Sequence, residues 1–523
     1  MSNQHSRRAS GLRVTALLTA AAFLAPVGLA AQQAQTPPPQ APAAPALTPQ
    51  GPNLQLSMDE AVRMAMEANL GLKVQRMQVD IAAQSIAQAR AAFLPVVSSG
   101  VSYNSTENQP QRNFDGTLVV SQSERISGSG NIQQQLPWYG ASYSANWNGN
   151  RSYSGGAGGT YNPGLGSGLQ LRFVQPLWNG LVIDPQRAGL ESSQRLQVIE
   201  DLDLQQTIVT TEANVKNAYL DLVAARENLK VAQQNEQLEV NALANARARV
   251  NVGVSPQTDI IANEAAVARS RVQTIAAEAR ISAAEDNLRR LIFDSERQDF
   301  WDIAIVPTDQ IQLQPVEIDL NRAIQNALAN RIDLTIAKRN LELTDLNIKV
   351  GRNNVKPDLD FQLDYSASGT GGRATNIDEL SRGFGSVLND VFLFTYPAWT
   401  TSLNFRYPLG NSAAKAQLTS LQIQRQQSLV QVRDLELAVV QQVRDAARSV
   451  QNNFRQVEAA RAALDASQRN LDAEQRRFEV GISTNLDLQV RQQQLADART
   501  AELNAIIAYN RALILFQRVQ RVR

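Results

Sequence analysis

The sequence predicts an α+β membrane protein that combines the strands of a β-barrel with long α-helices, the whole plan occurring as two internal repeats. Three observations lead to this fold class. The chain begins with a secretory signal, two helical segments run for about 65 residues each, and short strands alternate between apolar and polar side chains. Few other fold classes combine a secretory signal, helices of this length and strands with one apolar and one polar face.

Residues 1–30 have the three parts of a signal peptide. Arg7, Arg8 and Arg13 supply the positive region and residues 14–29 the apolar region. Gly28-Leu29-Ala30 then has small residues at the spacing of a cleavage site. A retained membrane anchor is the alternative, but the apolar run is shorter than the roughly 20 residues that a spanning helix needs. The stretch that follows, 31–53, is rich in Pro, Gln and Ala and is predicted to be a linker.

Composition excludes several classes of function. The chain has no cysteine, and its single histidine, His5, lies within the signal peptide. The mature protein therefore lacks Ser-His-Asp and Cys-His centres and the usual zinc ligands, and we expect no metal or other cofactor. A formal net charge of +1 with interspersed signs argues against nucleic acid as a partner. No later segment has the roughly 18 apolar residues of a transmembrane helix.

The rest of the chain is predicted to contain two copies of one pattern. The copies are residues 54–293 and 320–523, and a mixed segment at 294–319 separates them. Each copy is predicted to consist of a helix, barrel strands, a long helix, a tight turn and a shorter helix.

Matched motifs indicate this repeat. Tyr103 aligns with Tyr365 at an offset of about 262, and LRFVQPL beginning at Leu171 matches LNFRYPL beginning at Leu403. Four aligned prolines are predicted to mark the junctions between helices and strands: Pro95, Pro176, Pro357 and Pro408.

Long helices are the strongest prediction. Within segments 189–252 and 413–480, apolar residues recur every seven positions, with Glu236 as the one polar exception. This spacing indicates supercoiled helices about 95–100 Å long. Four shorter segments of about 36 residues would each be about 54 Å long, so that two of them in series match one long helix. Many positions between these apolar residues are polar, which favours a wall of helices with solvent on both faces. The shorter segments are 57–94, 257–292, 320–356 and 485–520.

The predicted strands have two different faces. In residues 358–366, 399–407 and 169–173, large apolar side chains alternate with polar ones. A strand of about nine residues with aromatic side chains near its ends is also typical of an outer-membrane barrel. A soluble antiparallel sheet with one wet face is the alternative, but the signal peptide and the long helices favour the barrel.

The first copy has about 30 extra residues, which predict an additional hairpin around Leu136–Gly140. The pattern does not place this hairpin: it would join the barrel, pack on it or fold into its lumen. In the second copy, the apolar stretch 384–399 predicts a loop helix at the lipid interface.

One short motif occurs twice, as RVNVGVSPQTDI beginning at Arg249 and as RFEVGISTNLDL beginning at Arg477. Gly253 and Gly481 permit positive φ angles and are predicted to end the long helices. Each motif is therefore predicted to be a corner between a long helix and a shorter one.

The helices after these corners carry starting signals. Ser255 is a candidate N-cap after the first corner, and Thr484 or Asn485 after the second. Asp259 and Asp487 lie in the predicted first turns, where the helix dipole favours negative charge. An ordinary helix–turn–helix corner is one complete explanation of these residues. A role in contact with a partner or a permeating ion is the other.

The order, spacing and duplication of these motifs resemble the TolC-type outer-membrane factors, also called the outer membrane efflux protein family. The resemblance covers about residues 54–523 and depends on DEAVRMAMEANLGL from Asp59, VQPLWNG from Val174, YPLGNSAAKAQ from Tyr407 and the two corners. It implies a homotrimer that shares one composite barrel in the outer membrane of a Gram-negative bacterium. One coiled-coil cylinder would cross the periplasm, and the segment 294–319 would girdle it.

The resemblance also implies a function, that of a passive exit duct in a tripartite efflux or type I secretion system. A periplasmic adaptor, or membrane fusion protein, would connect the duct to an inner-membrane pump of the RND, ABC or MFS type. Outer-membrane lipid would surround the barrel. Drugs, metal ions, polypeptides and polysaccharides are all candidate cargoes.

By the same resemblance, the two corners form the periplasmic tip. Asp487, Asp259 and Phe478 would lie at the aperture, where three Asp487 carboxylates of a trimer would attract cations. Val490 stands where a second aspartate occurs in the family type member, so only one acidic ring is expected. The residues that would form the rim for the adaptor are Arg249, Val252, Gly253, Ser255, Arg477, Val480, Gly481 and Ser483.

Two other classes of protein fit parts of the sequence. A periplasmic coiled-coil adaptor or scaffold without a pore also has a signal peptide and long helical hairpins, but it lacks duplicated strand pairs. An enzyme using only carboxylates would need an acid pair in a cleft about 5–10 Å wide, and the sequence singles out no such pair. The sequence therefore predicts a duct and no enzyme.

Overall fold

The structure is a computed structural model that describes residues 53–107, 109, 111–112, 118–119, 122–155, 160–294, 301–309, 313 and 315–520. The predicted signal peptide and the predicted linker up to residue 52 lie outside the described residues. Parts of the predicted mixed segment also lie outside them, namely 295–300, 310–312 and 314.

Within the described residues, strands and helices follow one another in this order: β1 (Asn53–Leu56), α1 (Met58–Ala68), α2 (Leu70–Ala91), β2 (Val96–Glu107), β3 (Gln111–Arg112), β4 (Leu118–Val119), β5 (Gln122–Gln135), β6 (Ser142–Ser154), β7 (Tyr161–Pro176), α3 (Pro185–Asn251), α4 (Thr258–Ile292), β8 (Ala304–Pro307), α5 (Leu320–Asn330), α6 (Ile332–Asn354), β9 (Asp358–Ala374), α7 (Phe384–Phe392), β10 (Pro397–Arg406), α8 (Ser412–Glu479) and α9 (Asn485–Gln520).

Shorter helices lie in series along the two long helices, α3 and α8. Both α2 and α4 pack on α3, while α6 and α9 each contact α3 and α8. The helices α1 and α4 meet each other, as do α5 and α9, so each series of shorter helices is nearly continuous. This is the arrangement that the helix lengths predict.

The long helices begin and end within a few residues of the predicted positions. The largest difference is at the start of α3, which begins at Pro185 and not at Gly189. Asp184 caps this end, because its carboxylate accepts the backbone N–H of Arg187 at 2.8 Å. Proline suits the first helical position, since it has no N–H that needs a partner.

Two of the predicted shorter helices are broken, so the prediction of continuous helices at 57–94 and 320–356 is wrong. The breaks are at Asn69 and Arg331, which have extended backbone with ψ of 121° and 131°. The Asn69 side chain accepts the N–H of Leu72 at 3.2 Å and so starts α2. In the sequence, a polar residue that caps a new helix cannot be distinguished from a polar residue on a solvent-exposed helix face.

Narrow apolar seams hold the helices together. Val215 and Leu222 of α3 and Val443 and Val457 of α8 are completely buried, all at predicted heptad positions. Other large apolar residues stay exposed on the flanks of the wall, on α2 and on the first half of α8: Val74, Met77, Ile81, Ile423, Val430 and Leu437. The wall therefore has apolar surface that no other part of the described chain covers.

Six strands form one antiparallel sheet in the order β10-β9-β7-β6-β5-β2. The additional hairpin that the sequence does not place is β5–β6, and it lies inside this sheet between β2 and β7. The short strands β3 and β4 pair with each other. Separately, β1 pairs in parallel with β8 and so connects the start of α1 to the mixed segment.

The predicted loop helix is present as α7. It packs on the apolar face of the sheet, with Val387 and Val391 completely buried. The close approach requires glycine at Gly369, because a Cβ there would lie 2.5 Å from the carbonyl oxygen of Val387. Arg382 and Asp390 form an ion pair at 2.6 Å beside the helix.

Candidate functional site at the helix tips and the strand sheet

The two predicted corners have the same backbone geometry. Gly253 and Gly481 have φ angles of +78° and +80°. At the first corner, Gly253 N–H donates to Val250 at 2.9 Å and Val254 N–H to Arg249 at 2.9 Å. These two bonds define a Schellman motif, which ends a helix with a left-handed residue.

The second corner repeats this pattern. Gly481 N–H donates to the Phe478 carbonyl at 3.1 Å, and Ile482 N–H donates to the Arg477 carbonyl at 3.0 Å. Nothing lies within 4 Å of a Cβ placed on either glycine, so the φ angle alone requires glycine here.

The helix after the second corner is capped by reciprocal hydrogen bonds. Asp487 N–H donates to the Thr484 hydroxyl at 3.2 Å, and the Asp487 carboxylate accepts the Thr484 hydroxyl at 2.6 Å and its N–H at 3.2 Å. These bonds from the Thr484 side chain and backbone hold the pKa of Asp487 below its usual value. The aspartate is therefore charged, exposed and fixed at the start of α9.

The prediction that Ser255 caps the helix after the first corner is wrong. The residue before α4 is Gln257, and its side chain makes no capping hydrogen bond. The turn extends further because the Pro256 carbonyl accepts the N–H of Asp259 at 3.1 Å. Ser255 lies half-buried inside the turn, and Asp259 lies half-buried in the first turn of α4.

Apolar side chains project from both corners into solvent. Val252 and Val254 at the first corner are 72% and 67% exposed, and Val480 and Ile482 at the second are 71% and 74% exposed. We call these four residues the apolar rim. Each corner thus exposes two apolar side chains beside a glycine, and clustered exposed apolar residues are typical of a surface that binds a partner.

Two contacts join the first corner to the second. The Arg249 guanidinium lies 4.4 Å from the centre of the Phe478 ring, a cation–π contact between α3 and α8. Between α9 and α4, the Gln489 amide donates to the Asn263 side chain at 2.9 Å. Each is a weak contact, so they hold the two corners together without locking them.

The helices behind the tips have polar groups in their interior, which sequence reasoning missed. Glu239 and Asn235 of α3 and Gln492 of α9 are buried, and each has a side-chain oxygen with no hydrogen-bond partner in the described part of the chain. Burial raises the pKa of Glu239. In the sequence, such buried polar groups are indicated by a polar residue within an apolar seam. Glu236 is one such residue, and its carboxylate accepts the Thr274 hydroxyl at 2.7 Å.

The four prolines lie where strands meet helices. Pro95 and Pro357 come directly before β2 and β9, Pro176 is the last residue of β7, and Pro408 follows β10 by two residues. Two of the other residues singled out from the sequence are exposed: Arg477, which lies 4.0 Å from Glu474, and Val490.

The strand sheet has one apolar and one polar face across all six strands. On the polar face, Arg172 pairs with Asp364 at 2.7 Å and Arg406 with Asp358 at 2.7 Å. The pairing register puts these apolar residues on the opposite face: Val97, Val101, Tyr103, Ile126, Ile132, Ala145, Trp147, Leu169, Leu171, Phe173, Phe361, Leu363, Tyr365, Trp399, Leu403 and Phe405.

No helix among the described residues has both the length and the apolar character needed to cross a membrane. The sequence profile of the outer membrane efflux protein family matches residues 61–292 and 323–516. The chain therefore belongs to the outer membrane efflux protein family, and the resemblance drawn from the motifs is confirmed.

Solved structures show the same fold. The CmeC outer membrane channel of Campylobacter jejuni is 14% identical, with 88% of this chain and 85% of that chain covered and a TM-score of 0.64. The outer membrane protein VceC of Vibrio cholerae is 14% identical (88% and 96% covered, TM-score 0.62). The open state of the MtrE channel of Neisseria gonorrhoeae is 16% identical (89% and 88% covered, TM-score 0.59). No curated protein sequence gives a match.

Proteins of this family are outer-membrane channels and not enzymes, so the prediction that the chain is no enzyme is confirmed. The chain is accordingly located in the outer membrane of a Gram-negative bacterium.

Proposed function

We propose that three copies of this chain form a passive exit duct of a tripartite efflux or type I secretion system. The apolar rim carries the proposal, since four exposed apolar side chains lie on two matched corners at the far ends of α3 and α8 from the strands. At 1.5 Å per residue, the 67 residues of α3 place the corner about 100 Å from the sheet. That distance suits a tip that meets a partner deep in the periplasm.

The partner we propose for the rim is a periplasmic adaptor, which connects the duct to an inner-membrane pump of the RND, ABC or MFS type. Apolar side chains on an adaptor would cover Val252, Val254, Val480 and Ile482, and glycine at each corner lets another backbone approach closely. Arg249 and Arg477 beside the rim offer charge-assisted hydrogen bonds that orient the contact.

The exposed apolar flanks support association of copies. Residues on α2 and on the first half of α8 are exposed at helical spacing, and their burial between neighbouring copies would build a closed cylinder. The apolar face of the sheet would then face outer-membrane lipid, and the polar face with its ion pairs would line the lumen.

The tip is proposed to be a gate. The cation–π contact of Arg249 with Phe478 contributes about 0.5–1 kcal/mol at an exposed site. The buried polar groups of α3 and α9 weaken the packing behind it. An adaptor that binds the rim more tightly in the open arrangement would therefore shift the tip towards opening at little cost.

Replacing Asp487 by Asn is expected to lower the preference of the open channel for cations. Three carboxylates per trimer would lose their charge, while Asn can still accept the Thr484 N–H and keep most of the cap, at a cost of about 0.5–1 kcal/mol. The measurement is the reversal potential of single channels in a salt gradient.

The matched control is Asp59→Asn, which removes an exposed aspartate from the first turn of α1, away from the tip. We expect this variant to keep the ion selectivity of the native protein. An unchanged reversal potential in Asp487→Asn would place the selective constriction elsewhere in the duct.

The proposed function is tested by fractionation of cells that express the full chain. A trimeric barrel should sediment with the outer membrane and migrate differently on gels before and after heating. A periplasmic adaptor or scaffold without a pore would stay in the soluble or inner-membrane fraction and show no such change.

A further inference from the structure

The six-stranded sheet has two open edges. β2 pairs only with β5, β10 pairs only with β9, and β2 is exposed along its whole length. Unpaired backbone N–H and C=O groups are too costly in hydrocarbon, so these edges must find partners. Because six is an even number, β2 and β10 run in opposite directions, and copies joined edge to edge keep the antiparallel order throughout.

The helices next to these edges have exposed seams on the same two sides of the chain. α2 leads directly into β2, and β10 leads into α8. On α8, Ile423, Val430 and Leu437 are exposed at intervals of seven residues, the spacing of a coiled-coil seam. Each side of the chain therefore combines an open sheet edge with an exposed helix flank.

The β5–β6 hairpin has the same two faces as the other strands. Ile126 and Ile132 of β5 and Trp147 of β6 lie on the apolar face, whereas Asn131 and Asn146 lie on the polar face. A hairpin folded into a lumen or packed outside a barrel would not continue this alternation in register with both neighbouring strands.

Side-chain contacts fix the hairpin in the sheet. The Trp147 ring lies across Gly128 and Gly130 of β5, and its indole N–H donates to the Ser167 hydroxyl of β7 at 2.9 Å. At the hairpin turn, the Gln175 amide donates to the Tyr139 carbonyl at 2.9 Å, which ties the turn to the end of β7. The hairpin is therefore held at its turn and at the middle of its strands.

The sequence repeat supplies the register between copies. Within one chain, β7 of the first repeat pairs with β9 of the second repeat, and Leu171 lies opposite Tyr365. The repeat aligns Leu171 with Leu403 of β10 and Tyr365 with Tyr103 of β2. If β10 meets β2 of the next copy as β7 meets β9, Leu403 lies opposite the next copy's Tyr103, and both are on the apolar face.

We infer that the β5–β6 hairpin is a third strand pair of each subunit and that the copies join through β10 and β2 in this register. The inference rests on the proposed trimeric duct. Six strands from each of three copies make a barrel of eighteen strands. With a strand spacing of about 4.8 Å and a tilt of about 45°, its backbone diameter is about 39 Å, against about 26 Å for twelve strands.

The width has a consequence for cargo. Barrels of 16–18 strands leave an aqueous channel, whereas small barrels are filled by their own side chains. The hairpin thus makes the outer-membrane end wide enough for bulky or hydrated cargo, and selection among cargoes falls to the tips.

Disulfide cross-linking in outer membranes tests the register. The chain has no native cysteine, so paired cysteines report on the designed contact alone. The full-length double variant Leu403→Cys with Tyr103→Cys is expected to form a covalent trimer on non-reducing gels. Leu171→Cys with Tyr365→Cys, the equivalent pair inside one chain, is the matched control and should cross-link without joining copies.

Two results would overturn the register. One is a monomer from the first pair when the control pair cross-links. The other is a covalent trimer from a slipped pair, Leu403→Cys with Val101→Cys or with Ser105→Cys, and not from the designed pair. Outer-membrane location and heat-modified migration are scored on the same samples, so a failure of the proposed duct is seen separately from a failure of the register.

End-on electron microscopy of the purified full-length protein tests the strand number. A backbone wall about 39 Å across is expected, and deletion of residues 122–154 should narrow it to about 26 Å, because β2 would then pair with β7. If the deletion variant does not assemble, the wall diameter of the native protein still tests the strand number. A native wall about 26 Å across would show that the hairpin is not part of the barrel.

Discussion

The variant Gly481→Pro is expected to lose export completely while it still assembles in the outer membrane. Proline requires φ near −65°, whereas Gly481 has φ of +80°, and proline cannot donate the N–H that bonds to the Phe478 carbonyl. The local cost is about 3 kcal/mol or more, enough to rebuild the corner. Val480 and Ile482 would then no longer present the apolar rim that the adaptor is proposed to bind.

The measurement is complementation of a deletion strain, scored against a panel of antibiotics, dyes, detergents and metal salts. Gly481→Asn is the matched control, because Asn tolerates the left-handed conformation and nothing crowds a side chain at this position. We expect this control to retain export. Full complementation by the proline variant would mean that the corner is not a docking surface.

The variant Arg289→Ala is expected to destabilise the protein by about 3–5 kcal/mol, because it breaks a buried ion pair. The Arg289 guanidinium, 3% exposed, bonds to Glu285 at 2.7 Å and to the Ile303 carbonyl at 2.6 Å. Without it, the Ile303 carbonyl loses this donor, and Arg226, at 2.9 Å, is the basic partner that Glu285 keeps among the described residues. The end of α4 would lose this polar tie to the segment before β8 and keep the apolar cluster that contains Leu288, Ile292 and Ile303.

Thermal unfolding followed by circular dichroism measures this effect. The control is Arg290→Ala, which removes the neighbouring arginine from an exposed position and should cost less than about 0.5 kcal/mol. Equal unfolding temperatures for the two variants would show that the buried pair contributes nothing to stability.

Long helices were predictable because their seams repeat over many heptads. α9 has the predicted bounds, Asn485–Gln520, since a turn precedes it and no polar side chain inside it caps a new helix. The breaks at Asn69 and Arg331 were not predictable, because a single residue with extended backbone leaves the apolar pattern intact. Local hydrogen bonds determine such breaks, and the spacing of apolar residues in the sequence does not indicate them.

The position of the β5–β6 hairpin was not predictable for a different reason. Its apolar face contains Gly128 and Gly130, so β5 shows little alternation of its own. The Trp147 ring of the neighbouring strand covers these glycines, and only the folded sheet reveals that contact. Strands with large side chains at every second position, such as β9 and β10, were recognisable from the sequence alone.

The corners were predictable from glycine and the repeat, whereas the contacts around them were not. Gly253 and Gly481 stand where a helix must end, so their positive φ angles follow from the sequence. The pairing of Arg249 with Phe478 joins residues far apart in the chain, and only the packing of α3 and α8 brings them together. The buried pair of Glu285 and Arg289 likewise depends on the segment that covers it.

Recording from purified full-length protein in planar lipid bilayers tests most directly whether the chain forms a duct gated at its tips. The double variant Arg249→Ala with Phe478→Ala removes the cation–π contact between the corners and should conduct in discrete steps, more often open than the native protein. Absence of conductance from both proteins, although they are inserted in the bilayer, would contradict the proposal of an open-ended duct.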